Sequence, residues 1–145
     1  MSHETVTQAV VFAVVLVALL VGHSIGDHVA QTDHQATFKS EPGAVGWRAL
    51  LGHLLTYHLT VAAVLLLTAF VLHIPLSPLG VTAGLAFSAV THGILDRRWP
   101  VRAVLRATRS PGFAEATTPV SGMYVADQAL HQAALLVTAL LIAAL

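Results

Sequence analysis

The chain is organised around residues 21–34, VGHSIGDHVAQTDH, where a long apolar run gives way to polar side chains. If a helix continues through this stretch, His23 and Asp27 project from one face, because residues four apart lie about 40° apart around the axis. His34 returns to that face three turns later. The stretch therefore predicts a helix with imidazoles and carboxylates on one side.

The four-residue spacing of histidine and aspartate occurs twice more, at His92 and Asp96 and, in reversed order, at Asp127 and His131. The chain's histidines and aspartates would form about 0.5 such pairs by chance. An imidazole and a carboxylate on adjacent turns can chelate a metal, or the carboxylate can orient the histidine for general-base catalysis. A single pair is explained as well by a helix-surface hydrogen bond or a satisfied core histidine. Three pairs favour a functional site.

The composition predicts one integral membrane domain, residues 1–145. Hydrophobic residues make up 56% of the chain and charged residues 10%, and the mean hydropathy is +0.77, whereas soluble domains are about 25% charged. Without cysteine there are no disulfides and no thiolate ligands, so nitrogen and oxygen must hold any metal. No Lys or Arg precedes the first apolar run, which we interpret as a retained helix rather than a signal peptide.

The hydrophobic pattern predicts an all-α, four-helix transmembrane bundle. Its helices are expected at about residues 6–38, 47–72, 79–96 and 119–145. Thr118 followed by Pro119 is a good N-cap for the last helix. A span needs about 20 residues, and the apolar runs reach that length only if the His and Asp positions are included. The polar pairs are therefore expected inside the bundle, where ionisable side chains pair or bind an ion.

The basic residues predict the orientation in the membrane. All seven lie on one side of the predicted spans: Lys39, Arg48, Arg97, Arg98, Arg102, Arg106 and Arg109. By the positive-inside rule the loops 39–47 and 97–118 lie on the cytoplasmic side of the cell (inner) membrane, and both termini lie on its outer side. All three His and Asp pairs and His53 occur at the same end of the bundle, so we expect them to converge near the inner leaflet.

The third loop predicts a short amphipathic helix that starts near Trp99. Its apolar face would be formed by Val101, Val104, Leu105 and Thr108, with arginines around the other face. Such a helix lies in the headgroup plane at the cytoplasmic interface. The arginines either anchor the protein on anionic lipid or bind a phosphate or headgroup of the substrate. For the second role the candidates are Arg98, Arg102 and Arg106.

These residues together resemble DUF3307, a family of small bacterial and phage integral membrane proteins. The family pattern is matched at His23, Asp27, Gln31, Thr32, Asp33, His53, Tyr57, His92, Asp96, Asp127, Gln128 and His131. The chain departs from it at His28 and His34, where the family carries aromatic residues. The resemblance covers most of the chain and implies a membrane protein with these residues at its centre, but it implies no reaction. A similarity in style to small membrane-bound metal-dependent hydrolases is an analogy, which does not establish chemistry.

The leading hypothesis is a metal-dependent hydrolase that acts on a lipid or lipid-linked substrate at the cytoplasmic leaflet. The candidate ligands are His23, Asp27, His53, His92, Asp96, Asp127 and His131. They exceed what one tetrahedral zinc uses, so either two ions share the site or some carboxylates orient ligands and act as general base. Zn is preferred, and Mn or Fe also suits such ligands. The candidate catalytic residues are Asp27, Asp96, Gln31 and Tyr57.

Other polar residues receive lesser roles. Further candidates are Asp33, His28, His34 and His58, and His3 and His73 are expected at the opposite end of the bundle. The expected partners are membrane lipids and a small lipid-like substrate. No nucleic acid is expected, and a homo-oligomer is left open.

Three other functions stay open. A metal or proton carrier or sensor would bind without reacting, although the apolar outer halves of the helices count against transport. A haem-binding bundle would use two facing histidines and would not need the aspartates. A structural phage membrane protein such as a holin would tolerate replacement of the histidines and aspartates.

Overall fold

In the computed structural model, which describes residues 2–145, these residues form seven helices and no strand. The helices are α1 (His3–His28), α2 (Asp33–Phe38), α3 (Gly43–Leu72), α4 (Pro78–Leu95), α5 (Trp99–Ala107), α6 (Pro111–Glu115) and α7 (Gly122–Ala144). Within this described part, four helices are long and apolar enough to cross a membrane: α1, α3, α4 and α7. The predicted all-α bundle with four candidate spans is therefore confirmed.

The predicted continuous helix over residues 6–38 is wrong, because the chain forms two helices there. α1 ends at His28, and a new helix begins after Thr32. The Thr32 hydroxyl accepts from the backbone N–H of Gln35, and the Gln35 side chain accepts from the backbone N–H of Thr32. This capping box satisfies donors at a fresh helix N-terminus. As a result His34 lies on α2 and does not return to the face of the first His and Asp pair.

The last long helix also starts later than predicted. Thr118 and Pro119 lie in the connection between α6 and α7, and α7 begins at Gly122. Its N-cap is Ser121, whose hydroxyl accepts from the backbone N–H of Tyr124 at 3.3 Å. A serine placed three residues before that donor satisfies it better than the Thr-Pro pair farther upstream.

Two glycines of α1 allow this helix to approach α3 closely. Gly22 and Gly26 are four residues apart, the spacing that lets membrane helices pack backbone to backbone. A Cβ on Gly26 would lie 2.9 Å from the ring of Tyr57, and one on Gly22 would lie 3.0 Å from the α3 backbone. The close approach occurs next to Asp27, so it carries the carboxylate toward α3.

The half of the bundle away from the polar pairs is an apolar core. Its buried members are Val11, Val15, Ala18, Leu19, Tyr57, Val61, Leu65, Leu135, Ala139 and Ile142. Large apolar side chains also cover the outside of the bundle: Phe70 is 78% exposed and Leu67 is 64% exposed. An extensive apolar exterior marks a surface that meets lipid or another apolar partner. Together with the four apolar helices, it is consistent with a membrane protein.

The short helix α5 is amphipathic, with a narrower apolar face than predicted. Val101 and Leu105 are buried, and the arginines of α5 are exposed. Val104 and Thr108 are exposed rather than packed. Thr108 lies beyond the end of α5, and Val104 is rotated about 100° from Leu105, which places it at the edge of the buried face.

Candidate metal-binding site

Four buried side chains carried by three of the long helices meet at one end of the bundle. Asp27 lies in the last turn of α1, His53 lies in α3, and His92 and Asp96 lie at the end of α4. One possible ligand atom of each lies within 4.8 Å of the others. We call these four residues the cation cluster. It forms because α1 and α4 end where α3 begins, which places one end of each helix at the same depth.

The two imidazoles of the cation cluster face each other and the carboxylates. His53 Nε2 lies 3.0 Å from His92 Nε2. It also lies 3.2 Å from Asp27 Oδ1 and 3.3 Å from Asp96 Oδ2. Two imidazole nitrogens and two carboxylate oxygens form a donor set typical of Zn, and one that Mn and Fe also accept.

The hydrogen bonding of one Asp96 oxygen indicates whether a positive ion fits between these groups. Asp96 Oδ2 is buried and accepts no hydrogen bond from any residue in the range 2–145. The Nε2 atoms of His53 and His92 lie 3.3 and 3.2 Å away, within ion-pair distance but without the geometry of a hydrogen bond. A buried carboxylate oxygen without a donor is costly. A cation would satisfy it, so these residues fit a metal ion.

Lys39 is a member of the site that the sequence analysis missed. Its ammonium nitrogen lies 2.9 Å from Asp96 Oδ1, 3.1 Å from Asp27 Oδ1 and 3.1 Å from His53 Nε2. The residue is only 7% exposed. In the sequence it is one of seven basic residues on one side of the spans, and we counted it only toward membrane orientation. The one distinguishing signal was that it is the only lysine in the chain.

Arg97 holds the backbone around Lys39 in place. Its guanidinium donates to the carbonyl of Lys39 and to that of Glu41, both at 2.9 Å. The guanidinium carbon lies 5.0 Å from the ring centroid of Trp47, a cation–π distance. Because Arg97 directly follows Asp96 in the chain, it ties the Lys39 backbone to one of the carboxylates that the Lys39 side chain contacts.

The charge state of Asp96 follows from its neighbours. The Lys39 ammonium nitrogen forms an ion pair with Asp96 Oδ1 at 2.9 Å, and His92 Nε2 lies 3.2 Å from Oδ2. Asp96 is therefore a carboxylate rather than a neutral acid. Its negative charge gives the cation cluster its demand for a positive partner.

His23 lies beside the cation cluster rather than in it. Its Nε2 is 2.9 Å from Gln128 Oε1, and its Nδ1 is 3.0 Å from the Tyr57 hydroxyl. The Gln128 amide donates to Asp27 Oδ2 at 2.9 Å, so its oxygen accepts from His23 Nε2–H. His23 Nδ1 then accepts from the Tyr57 hydroxyl. Both ring nitrogens of this predicted ligand are engaged, and the network instead orients Asp27.

Gln128 has a more central place in the site than the sequence predicted, and Tyr57 has a less direct one. Gln128 entered only as part of the family pattern, yet it bridges His23 to Asp27. Tyr57, a predicted catalytic residue, is fully buried and directs its hydroxyl to His23. The structure therefore places Tyr57 in the supporting hydrogen-bond network.

His131 and Asp127 are placed differently from each other. His131 Nδ1 donates to the backbone carbonyl of Asp127 at 2.9 Å, which leaves the Nε2 lone pair free. That Nε2 is buried, has no hydrogen-bond partner within the described residues, and lies 4.0 Å from Asp96 Oδ1. The Nε2 atom of His131 thus lies beside the cation cluster but outside the four residues that define it. The partly exposed carboxylate of Asp127 lies outside the cation cluster, 3.5 Å from His131 Nδ1.

Gln31 and His28 lie at the mouth of the site. The Gln31 amide donates to the backbone carbonyl of Asp27, and its buried Oε1 has no hydrogen-bond partner in the part of the chain that the structure describes. His28 is exposed, and its Nε2 lies 2.6 Å from the Tyr124 hydroxyl. Gln31 thus carries an acceptor oxygen without a donor beside the site.

The remaining candidates lie outside the cation cluster. Asp33 and His34 are exposed on α2. His58 Nδ1 lies 2.8 Å from the carbonyl of Leu54 and its Nε2 lies 3.3 Å from the Ser88 hydroxyl, so its ring meets His92 only edge-on, at 6.1 Å between centroids. His3 and His73 are exposed at the opposite end of the long helices.

Two adjacent cavities open beside the cation cluster. The inner cavity, about 130 Å³, is lined by Asp27, Gln31, Lys39 and Asp96 among others. The outer cavity, about 310 Å³, is lined by Arg98, Arg102, Ser121, Met123, Tyr124 and Asp127. Both include Arg98, Tyr124 and Asp127 in their walls. Arg106, the third predicted headgroup-binding residue, is exposed and lines neither cavity.

Comparison with known proteins identifies one relationship. The family described as "Protein of unknown function (DUF3307)" matches the chain over residues 15–145. That range includes the cation cluster, Lys39 and the supporting network. Neither a curated protein nor a solved structure matches the chain.

Proposed function

The chain belongs to the DUF3307 family, and from this premise we propose that it is an integral membrane metalloprotein that hydrolyses a lipid or lipid-linked substrate. The observation that carries the proposal is the cation cluster: two aspartates and two histidines, all buried, with one ligand atom of each within 4.8 Å of the others. Ionisable residues inside a bundle of apolar helices are expensive and are expected to pair or bind an ion.

The ligand set favours one zinc ion. Asp27, His53, His92 and Asp96 supply four donors, the number that a tetrahedral zinc uses. His131 Nε2 supports a fifth position beside Asp96. Mn or Fe is the alternative, since both accept nitrogen and oxygen ligands. A second ion would need ligands beyond these, and Asp127 is the nearest further carboxylate.

The residues around the cluster suit hydrolysis. A bound divalent ion would supply Lewis acidity and activation of water. Gln128 and His23 hold the Asp27 carboxylate in one orientation, as partners of metal ligands commonly do. A carboxylate that does not bind the ion through both oxygens can accept a proton as general base, which suits Asp27 or Asp96. Gln31 lines the inner cavity, and its Oε1, which has no hydrogen-bond partner among residues 2–145, can accept a hydrogen bond from a substrate hydroxyl or amide.

The cavities support an anionic amphiphile as substrate. The inner cavity lies against the cation cluster and shares Arg98, Tyr124 and Asp127 with the outer cavity, which Arg102 also lines. Guanidinium groups bind phosphate and carboxylate through paired hydrogen bonds. Apolar side chains cover the outside of the adjacent helices. A lipid headgroup could therefore enter while its acyl chains stay in the membrane.

The basic residues support an inner-leaflet location. Lys39, Arg97 and Arg98 lie at the same end of the bundle as the cation cluster, and α5 carries further arginines. Cytoplasmic loops carry an excess of Lys and Arg, so this end is proposed to face the cytoplasm. The substrate would then be reached from the cytoplasmic leaflet of the cell membrane.

A metal sensor without turnover is a second candidate, because such a protein needs only the buried ligand cluster. The apolar core of α1, α3 and α7 fills the half of the bundle opposite the cluster, which disfavours a carrier but is compatible with a sensor. Haem is disfavoured, because the Nε2 atoms of His53 and His92 are only 3.0 Å apart and leave no room for a porphyrin between them.

The test is metal analysis of the protein purified in detergent and equilibrated with Zn²⁺. We expect about one equivalent of zinc in the wild type and a loss of most of it in Asp27→Ala and Asp96→Ala, because each removes a ligand. Asp33→Ala is the matched control, since this aspartate is exposed on α2. Equal, negligible zinc in all four proteins would refute the metal site.

A second assay tests hydrolysis. The zinc-loaded protein is incubated with vesicles that contain an anionic phospholipid or a polyprenyl diphosphate, and released phosphate, headgroup and fatty acid are measured. Product released by the wild type and by Asp33→Ala but not by Asp96→Ala is expected. Zinc binding without any product from these lipids would favour the sensor.

A further inference from the structure

We infer that the Lys39 ammonium and a divalent metal ion are mutually exclusive occupants of the cation cluster, so that metal binding drives the Lys39 side chain out. This inference rests on the proposed metal site. The ammonium nitrogen is within 3.1 Å of three of the four cluster residues, Asp27, His53 and Asp96. It therefore lies where an ion bound by the same atoms would lie.

Distance makes joint occupancy unfavourable. Zinc binds nitrogen and oxygen ligands at about 2.0–2.2 Å. An ion that uses Asp27 Oδ1, Asp96 and His53 Nε2 would have to lie among the atoms that Lys39 Nζ now contacts. Two positive charges at that separation, in a buried site, repel strongly. The ammonium must leave for the ion to bind.

The charge of the two carboxylates explains why the site needs a positive group both with and without a metal ion. Asp27 and Asp96 are both buried, and leaving buried carboxylates without a positive partner is strongly destabilising. One ammonium compensates one of the two negative charges, whereas a divalent ion compensates both. Lys39 thus keeps the cluster together without metal, and the ion is the better electrostatic match when it is present.

The local structure lets the side chain move while the backbone stays. The Lys39 carbonyl is held by Arg97, but the side chain is a flexible four-carbon stem. Lys39 lines the inner cavity of about 130 Å³, which offers space for a displaced ammonium. Arg98 lines the same cavity. Displacement would therefore add a second positive group where we propose that an anionic substrate enters.

The single lysine allows a direct test on the wild-type protein. Reductive methylation with ¹³C-formaldehyde is followed at Lys39 by peptide mass spectrometry, with and without saturating Zn²⁺. Buried Lys39 should react slowly without zinc, and zinc should raise its rate at least about tenfold, since protection depends on how often the group is open to solvent. A chelator should reverse the increase, and K⁺ at equal ionic strength should cause none.

A pair of variants provides an independent measurement. In Lys39→Met the competitor is removed while the length of the side chain is kept, so zinc should bind at least about tenfold more tightly than to wild type, a change of about 1.4 kcal/mol. The control Arg48→Met loses the same charge from an exposed position on α3 and should bind like wild type. If Lys39→Met does not fold, the labelling experiment decides.

The outcomes separate the inference from the proposed function. Zinc bound by the wild type with unchanged Lys39 reactivity, or with equal affinity in Lys39→Met, overturns the inference and leaves the metal site standing. Zinc bound by Lys39→Met alone overturns the inferred displacement, because Lys39 is then the permanent cation of the wild type, and it also removes the metal-dependent function. No zinc in either protein overturns both.

Discussion

The two ends of the long helices are held together by different forces. At one end, α1, α3 and α7 pack through residues such as Val15, Leu65 and Ile142. At the other end α1 and α4 meet through buried charges and hydrogen bonds, with Asp27 and Asp96 around Lys39. The difference teaches that the fold does not need the polar end for burial of apolar surface. Polar groups are retained there in spite of their desolvation cost, which is what a binding site requires.

The comparison predicts that removing one charge of the polar end has the largest effect on the stability of the protein. Asp96→Ala leaves the Lys39 ammonium with a single carboxylate partner and His92 without its neighbour. We expect a loss of about 3–5 kcal/mol in the free energy of unfolding, the cost of breaking a buried ion pair. Chemical denaturation of the metal-free protein in detergent measures it.

The control for that experiment is Asp33→Ala, because Asp33 is exposed on α2. Its free energy of unfolding should stay within about 0.5 kcal/mol of wild type. Similar losses in the free energy of unfolding of both variants would mean that the buried ion pair contributes no more to stability than an exposed aspartate does.

A smaller effect is expected from the apolar end. Leu65 is 2% exposed in the core, and Leu65→Ala leaves a cavity with lost dispersion contacts. Because detergent and lipid are as apolar as the core, the transfer contribution is small, and we expect a loss of about 2 kcal/mol. Leu67→Ala, at a position 64% exposed, should change stability by less than about 0.5 kcal/mol.

The comparison becomes sharper when zinc binding is measured on the same two leucine variants. Neither residue belongs to the cation cluster, so zinc affinity should equal that of wild type for both. A tenfold weaker affinity in Leu65→Ala would show that the two ends are coupled and that the apolar core helps to align the ligands.

A variant of Gln128 tests the hydrogen bonds that orient the ligands of the polar end, rather than the charges there. Gln128→Met removes the bridge between His23 and Asp27 while keeping a similar volume. Loss of a hydrogen-bonded partner of a ligand should weaken zinc binding about 10- to 100-fold and lower stability by about 1–2 kcal/mol. Calorimetric titration with Zn²⁺ measures the affinity, with Gln8→Met on the outer half of α1 as control. Unchanged affinity would leave Asp27 oriented by other contacts.

The smallest expected effect concerns the arginines at the surface of the polar end. Arg102 lines the outer cavity and Arg106 does not. Arg102→Gln should weaken binding of phosphatidic acid in mixed micelles about threefold to tenfold, as expected for one charge-assisted contact, and Arg106→Gln should not. Equal weakening in both would mean that the arginines act only as a general attraction for anionic lipid.

Much of the fold could be predicted because its signals are local. The hydrophobic runs predicted the four apolar helices, and the four-residue spacing placed the His92 and Asp96 pair on one helix face. The break after His28 also has a local signal, the Thr32 and Gln35 capping box. The spacing of the polar residues led us to predict one continuous helix instead. Lys39 carried no such signal, because its burial depends on the turn that follows this break.

The sequence by itself determined which helices are apolar enough for a membrane and which residues bring imidazoles and carboxylates to one end of them. These properties depend on composition and on the period of the helix, which are local. Only the tertiary structure decided that His53 and His92 face Asp27 and Asp96 while His23 bonds Gln128, and that Lys39 stands between the carboxylates. Those partners depend on how the helices rotate and approach each other, which the close contact of Gly22 and Gly26 with α3 sets between segments far apart in the chain.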